Sequence, residues 1–223
     1  MLYKTRGIVF RFTKYGETSI IVNVFTESFG LQTYIVNGVR SKSAKNKIAL
    51  FQPLTLLELV VYNKENANIK RIKEIKCIHP FQSLTSDIKK STIGMFMVEV
   101  MNKAIREESH AGDFFSFLFN SILTLDLLEG DVENFHLVFL LKLSRYLGFG
   151  AHSVSDVLAH RMIGDDEEKI LANLLTVSLQ GTVKMTGSQR KNLLEILLLF
   201  YADHLDYLGQ IRSVPILREV LDN

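Results

Sequence analysis

The hydrophobic period of this chain changes once, at Pro80, and the change separates two kinds of structure. Before it, apolar residues come in short runs rich in β-branched and aromatic side chains, bounded by glycine and polar turns. That pattern predicts strands. Beyond it, apolar residues recur three and four positions apart over long stretches, and that pattern predicts helices. With 47% hydrophobic residues in 223, the chain can bury either one large core or two smaller ones.

Five strands are expected, at about residues 2–13, 18–26, 31–37, 54–62 and 69–78. Gly30 follows Glu27-Ser28-Phe29 in the second turn, where it can supply a positive φ. Pro53 precedes the fourth run, which suits a strand start because proline donates no ladder hydrogen bond. The fifth run alternates imperfectly. Ile69, Ile72 and Ile75 also fall at helical spacing, so a helix stays open as an alternative there. Five short strands with a long third-to-fourth connection match the partly open Greek-key barrel of the OB-fold, which holds single strands on a strand face and its bordering loops. The expected class is therefore α+β: a five-stranded OB-fold β-barrel in residues 1–80, followed by an all-α helical domain in 81–223.

Helices are expected over residues 84–108, 112–128, 132–147, 188–208 and 214–221. The third is apolar nearly all round, which makes it the natural centre of a bundle. Residues 152–186 are hard to read. Asp165-Asp166-Glu167-Glu168 suits the first turn of a helix, with Asp165 and Glu168 at capping-box spacing.

The long connection contains Gly38-Val39-Arg40-Ser41-Lys42-Ser43-Ala44-Lys45-Asn46-Lys47, which carries four cations and no acid. A solvated surface loop would look the same. Its setting favours a polyanion: residues 1–80 hold thirteen cations against five acids, a net of +8, while residues 81–223 carry a net of −6. A basic first third on an acidic remainder points to a nucleic-acid-facing domain joined to something else. The candidate phosphate contacts are Arg40, Lys42, Lys45, Lys47, Lys14, Arg71 and Lys73. Tyr15, Tyr34 and Tyr62 are candidate base stackers, although a tyrosine on a barrel strand also packs well in the core.

Catalytic motifs are missing. The six histidines lack H-E-x-x-H spacing, and there is no phosphate-binding G-x-x-x-x-G-K-[ST] and no G-x-S-x-G. Asp203-His204-x-Asp206 reads as a solvated helix end. The single cysteine, Cys77, reads as a small buried apolar residue, excludes an internal disulfide and fits a reducing compartment. Residues 1–6 have no apolar leader core, and the longest apolar run, 196–202, is far short of the roughly 18 residues a membrane span needs. A cytoplasmic protein without a membrane partner is expected.

The chain resembles the RecO family of bacterial recombination mediators. The matching pieces are Gly7-Ile8-Val9, Tyr15-Gly16-Glu17, Phe25-Thr26-Glu27-x-Phe29-Gly30, Gly38-Val39-Arg40-Ser41-Lys42-Ser43, Phe51-Gln52-Pro53-Leu54 and Leu57-Glu58-Leu59. Phe135-x-Leu137-x-x-Leu140 and Tyr146-Leu147-Gly148-Phe149 are similar to the family's central helix and its ending. The resemblance implies an N-terminal OB domain and a helical domain with no enzymatic step. It also implies binding of single- and double-stranded DNA, strand annealing, contact with the acidic C-terminal tail of single-stranded-DNA-binding protein, union with RecR, and indirect help in loading RecA. Many members carry a four-cysteine zinc site after the Gly-Phe motif, and this chain has no cysteine there. Tail recognition needs a cation beside an apolar slot. Lys142 and Arg145 on the 132–147 helix are the candidates, and both would also sit well on its solvated side near its C-terminal dipole. A protein-interaction scaffold and an RNA-binding module are the competing readings.

Overall fold

The structure, a computed structural model, describes residues 1–41, 47–63, 67–105 and 112–222. It divides into two compact units, residues 1–81 with 105–122, and residues 82–104 with 123–223.

The first unit is built on a closed barrel of β1 (Leu2–Tyr15), β2 (Ser19–Thr26), β3 (Gly30–Val36), β4 (Leu56–Tyr62) and β5 (Lys70–Cys77) in the order β1-β2-β3-β5-β4. The fifth run is thus a strand. Long β1 makes the closure possible: residues 7–15 pair with β2 and residues 2–8 with β4. A short parallel seam, Tyr34 opposite Lys70 and Ile35 opposite Arg71, joins β3 to β5. The barrel is therefore closed where the sequence suggested a partly open one. The long connection between β3 and β4 carries a 3-10 turn, Ile48–Phe51. Gly30 adopts φ 62° as expected, in a turn where Thr26 accepts from the Phe29 N–H and donates to the Gly30 carbonyl.

Val9, Val22, Val24, Leu57, Leu59 and Val61 fill the interior together with Tyr34. Gly7 lies at a close approach of strands. A Cβ there would stand 2.6 Å from Val24 Cγ1, so no larger residue fits without a shift.

The strand β1 bulges at Phe10, between Val9 opposite Val24 and Arg11 opposite Asn23. Phe10 is buried and stacks on Phe25 at 5.7 Å, and Phe25 meets the rings of Phe114 and Phe115. This end of β1 and β2 is apolar on both faces, and Phe114 and Phe115 cover the outer one. Arg6 ties down the segment that carries them. It donates to both Glu27 oxygens at 2.8 and 2.6 Å, while its guanidinium lies 5.3 and 5.0 Å from the Phe115 and Phe119 ring centres. Those bonds hold the Glu27 carboxyl below its ordinary value. Residues 105–122 therefore group with the barrel, whereas the sequence pattern assigned them to the helical half.

Among the described residues seven helices follow: α1 (Ile88–Ala104), α2 (Gly112–Leu127), α3 (Phe135–Tyr146), α4 (Val154–Leu158), α5 (Asp165–Thr176), α6 (Gly187–His204) and α7 (Val214–Asp222). The helix α1 begins later than its periodicity suggests. The N–H groups of Gln82, Ser83 and Leu84 turn instead onto the Asp126 carboxylate, at 3.0, 2.9 and 2.7 Å, and Asp87 caps the helix by accepting from Lys90 N. Within the second unit, α3 packs against α1, α5 and α6, and Tyr201 on α6 donates to the Leu140 carbonyl.

In the region that was hard to read, Ser153 and Asp156 cap α4 reciprocally. At α5 the cap uses Glu167, which accepts from Gly164 N, and not the expected Asp165–Glu168 pair. Glycine has no side chain to return the bond. Cys77 is half-exposed at the end of β5, where burial was expected, because it belongs to a strand whose residues mostly face outward. The 203–206 group is also more engaged than a solvated helix end: Asp203 pairs with Arg161 at 2.7 Å, and the His204 ring stacks on Phe149 at 4.8 Å.

His136 on α3 is fully buried against Phe96. Burial, and then the charge of Arg190, push its imidazole down to about 3 from 6.5. The unfolded chain takes up the proton first, so the contribution is complete above about pH 6.5 and falls as pH drops toward 3. Urea melts between pH 6 and 4 are expected to lose roughly 1.4 kcal/mol per pH unit from this group. A His136→Gln variant should lack that part of the slope.

Candidate nucleic-acid interface

The outer surface of the barrel is arranged in rungs, because every strand alternates inward and outward residues. One rung runs from Thr13 through Ile21, Ile35, Arg71 and Tyr62 to Leu2, each residue opposite the next. It returns to β1 eleven residues before it left, and none of its members is buried. The neighbouring rung carries Arg11, Asn23 and Thr33, with Thr33 donating to Asn23. On the other side Tyr15 faces Ser19, whose hydroxyl donates to Asn37.

The strip over β2 and β3 is thus made of Ser19, Ile21, Asn23, Thr33, Ile35 and Asn37, with no charge and no aromatic ring. Arg11 on β1 and Arg71 on β5 border it, and neither forms an ion pair among the described residues. Three strand spacings separate the Arg71 rung position from Thr13, about 14 Å. The arrangement presents a shallow neutral surface between two cationic edges, which is suited to a chain carrying phosphates at intervals.

The structure sorts the candidate residues. Lys14 and Tyr15 stand exposed at the β1–β2 turn, with Tyr15 53% exposed. Arg40 reaches the same turn, since its backbone N–H donates to Thr18 O and its guanidinium to Gly16 O. The basic connection therefore starts beside Tyr15. Lys47 is exposed at the head of the 3-10 turn, and Lys42 and Lys45 lie outside the described residues. Arg71 is exposed on the rung. Lys73 follows at the β4–β5 bulge, with Glu74 3.4 Å away. Both partners are exposed, so little of its charge is lost.

Three other cations of the barrel are occupied: Lys4 by Glu58, Arg6 by Glu27, and Lys70 by the Gln32 amide oxygen at 2.6 Å. Tyr34 is corrected outright. It is 0% exposed inside the barrel and offers no face to a base. Its position opposite Lys70 places it on the inward side of β3. Arg11 was missed as a site residue, because the Phe10 bulge reverses the alternation that would have shown it facing out.

The recombination protein O N-terminal family matches residues 1–81 and its C-terminal family residues 85–166. DNA repair protein RecO of Flavobacterium johnsoniae is 36% identical over 99% of both chains. That of Bacteroides fragilis is 36% identical over 100% of both, and that of Azobacteroides pseudotrichonymphae 31% over 100% of both. The chain belongs to the RecO family. Its closed barrel and seven helices are that family's OB-fold and helical parts, and its place is among DNA repair proteins. Among the described residues no helix is long and apolar enough to cross a membrane, and no group of three His, Cys, Asp or Glu is placed to hold a metal ion.

On the RecO helical part, Lys142 and Arg145 lie together on α3. Lys142 is half-buried, and burial and the nearby Arg145 lower its pKa. Arg145 donates to the Leu175 carbonyl at the end of α5 at 3.3 Å, so part of its work is helix termination.

The Tyr34 hydroxyl has no hydrogen-bond partner among the described residues, and burial pushes its phenol well above the ordinary value. Removing an orphaned buried hydroxyl relieves a desolvation cost. Tyr34→Phe is expected to leave oligonucleotide affinity unchanged and to raise stability by about 1 kcal/mol in urea melts.

Proposed function

We propose that this protein is a recombination mediator that binds single- and double-stranded DNA on its barrel and acts by binding, without a chemical step. The observation carrying this is the uncharged β2–β3 strip bordered by Arg11 and Arg71, which form no ion pair among the described residues, with Lys14, Tyr15 and Arg40 gathered at one end. Phosphate contacts dominate such a surface and read no sequence. Two strands held loosely by their backbones keep their base edges free, which is what annealing requires. In the sequence the basic connection 38–47 adds the charges of Lys42, Lys45 and Lys47 to that of Arg40.

In the helical part, the half-buried Lys142 is the proposed contact for the acidic tail of single-stranded-DNA-binding protein, with Arg145 beside it. RecR is the proposed partner, and RecA loading on coated gaps the outcome, in the cytoplasm at the nucleoid. An acid-seeking protein scaffold is the second reading, favoured by the same cations.

Fluorescence anisotropy with a labelled oligonucleotide separates the two readings. The slope of log K against log salt should weaken by about 0.7 for each of Arg11→Ala and Arg71→Ala, and by about 3 for the joint replacement of Arg40, Lys42, Lys45 and Lys47 by alanine. Equal affinity of all variants at low salt would remove the barrel surface from DNA binding. In a parallel titration with a peptide of the acidic tail, Lys142→Ala is expected to weaken binding about tenfold, the loss of one charge-assisted contact.

A further inference from the structure

We infer that the β4–β5 end of the barrel is a pocket for one unstacked base of a DNA strand, with the Tyr62 ring against the base and the Arg71 guanidinium on the adjoining phosphate. This rests on the DNA-binding reading above and names what that surface grips. Tyr62 is the last residue of β4 and is 43% exposed, with Arg71 directly opposite it on β5. Beside them opens a cleft of about 700 Å³ lined by Tyr62, Ala67, Ile69, Lys70 and Arg71. That is the volume range of small-molecule sites. Ile69, 47% exposed, supplies an apolar wall.

The two cations of the cleft differ in availability. Lys70 is held by Gln32 and leans toward the Phe29 ring, 6.0 Å away. Arg71 forms no ion pair among the described residues and remains for a ligand anion. An exposed aromatic face, an exposed isoleucine and one free guanidinium at strand-pair distance match a nucleotide, with its flat apolar base and its single charge.

Continuity selects DNA over an isolated small anion, because Arg71 is also the next position after Ile35 on the rung that crosses the neutral β2–β3 strip. That strip has no aromatic residue, so bases have nothing to stack on until the strand reaches Tyr62. Tyr15, the other exposed tyrosine bordering the strip, faces Ser19 and not a cation. A strand lying there would be gripped by phosphates along the strip and by one base at its end.

The test uses the whole chain and an oligothymidine carrying one 2-aminopurine, whose emission is quenched on stacking. Binding is measured to that strand, to an abasic strand of equal length and to a duplex, for the wild type, Tyr62→Phe and Tyr62→Ala. Tyr62→Ala should weaken binding to the normal strand roughly 5- to 150-fold, the range for one lost stacking contact, and should abolish the quenching. Affinity for the abasic strand and the duplex should not change, and Tyr62→Phe should behave as wild type. Unchanged affinity of Tyr62→Ala for the normal strand, or an equal loss on the abasic strand, overturns the pocket. So does displacement of a bound acidic peptide with no quenching by the strand. Wild type that binds no DNA at all overturns the DNA-binding reading along with it.

Discussion

The barrel depends on β1 being bound along both edges. Its first half is the partner of β4 and its second half the partner of β2, and the short parallel seam of β3 with β5 completes the circuit. At the overlap, Gly7 stands between Thr26 and Leu57, and Ile8 between Phe25 and Leu56. The requirement that two ladders meet on one strand leaves no room for a side chain at Gly7. It also forces the bulge at Phe10, where the strand must bend to change partner.

The bulge has consequences on both sides of itself. On one side it sends Phe10 outward against Phe25, which creates an apolar outer face that Phe114 and Phe115 cover. On the other it turns Arg11 to solvent, next to a strip whose residues are small and uncharged. One extra residue thus divides the outer surface of the barrel into a part that is packed and a part that is open. Charge follows the same division. Arg6, near the packed part, spends its guanidinium on Glu27 and two aromatic rings, whereas Arg11 and Arg71, beside the open part, pair with no carboxylate among the described residues.

Much of the fold was legible in the chain. The change of period at Pro80, the five strand-like runs, the positive φ at Gly30 and the central place of the apolar 132–147 helix all rest on local pattern, and local pattern is what sequence records. The acidic first turn of α5 at Asp165 was legible but its cap was not, since Gly164 shows no capping side chain, and the five-residue helix α4 is too short to set up a period. The late start of α1 was hidden for a different reason. Its first N–H groups are taken by Asp126, more than forty residues away, and no local rule anticipates that carboxylate.

For the candidate site, the sequence by itself determined the sign and amount of charge, the basic connection and the supply of tyrosines, since these follow from composition and order alone. Only the tertiary structure decided which of them face a ligand. Tyr15, Tyr34 and Tyr62 look alike on paper, yet barrel register buries one and exposes two. Arg6, Arg11 and Arg71 carry the same charge, yet closure of the barrel places Glu27 within reach of only the first. The physical reason is that availability depends on neighbours brought close by strand pairing, and strand pairing is a property of the folded chain.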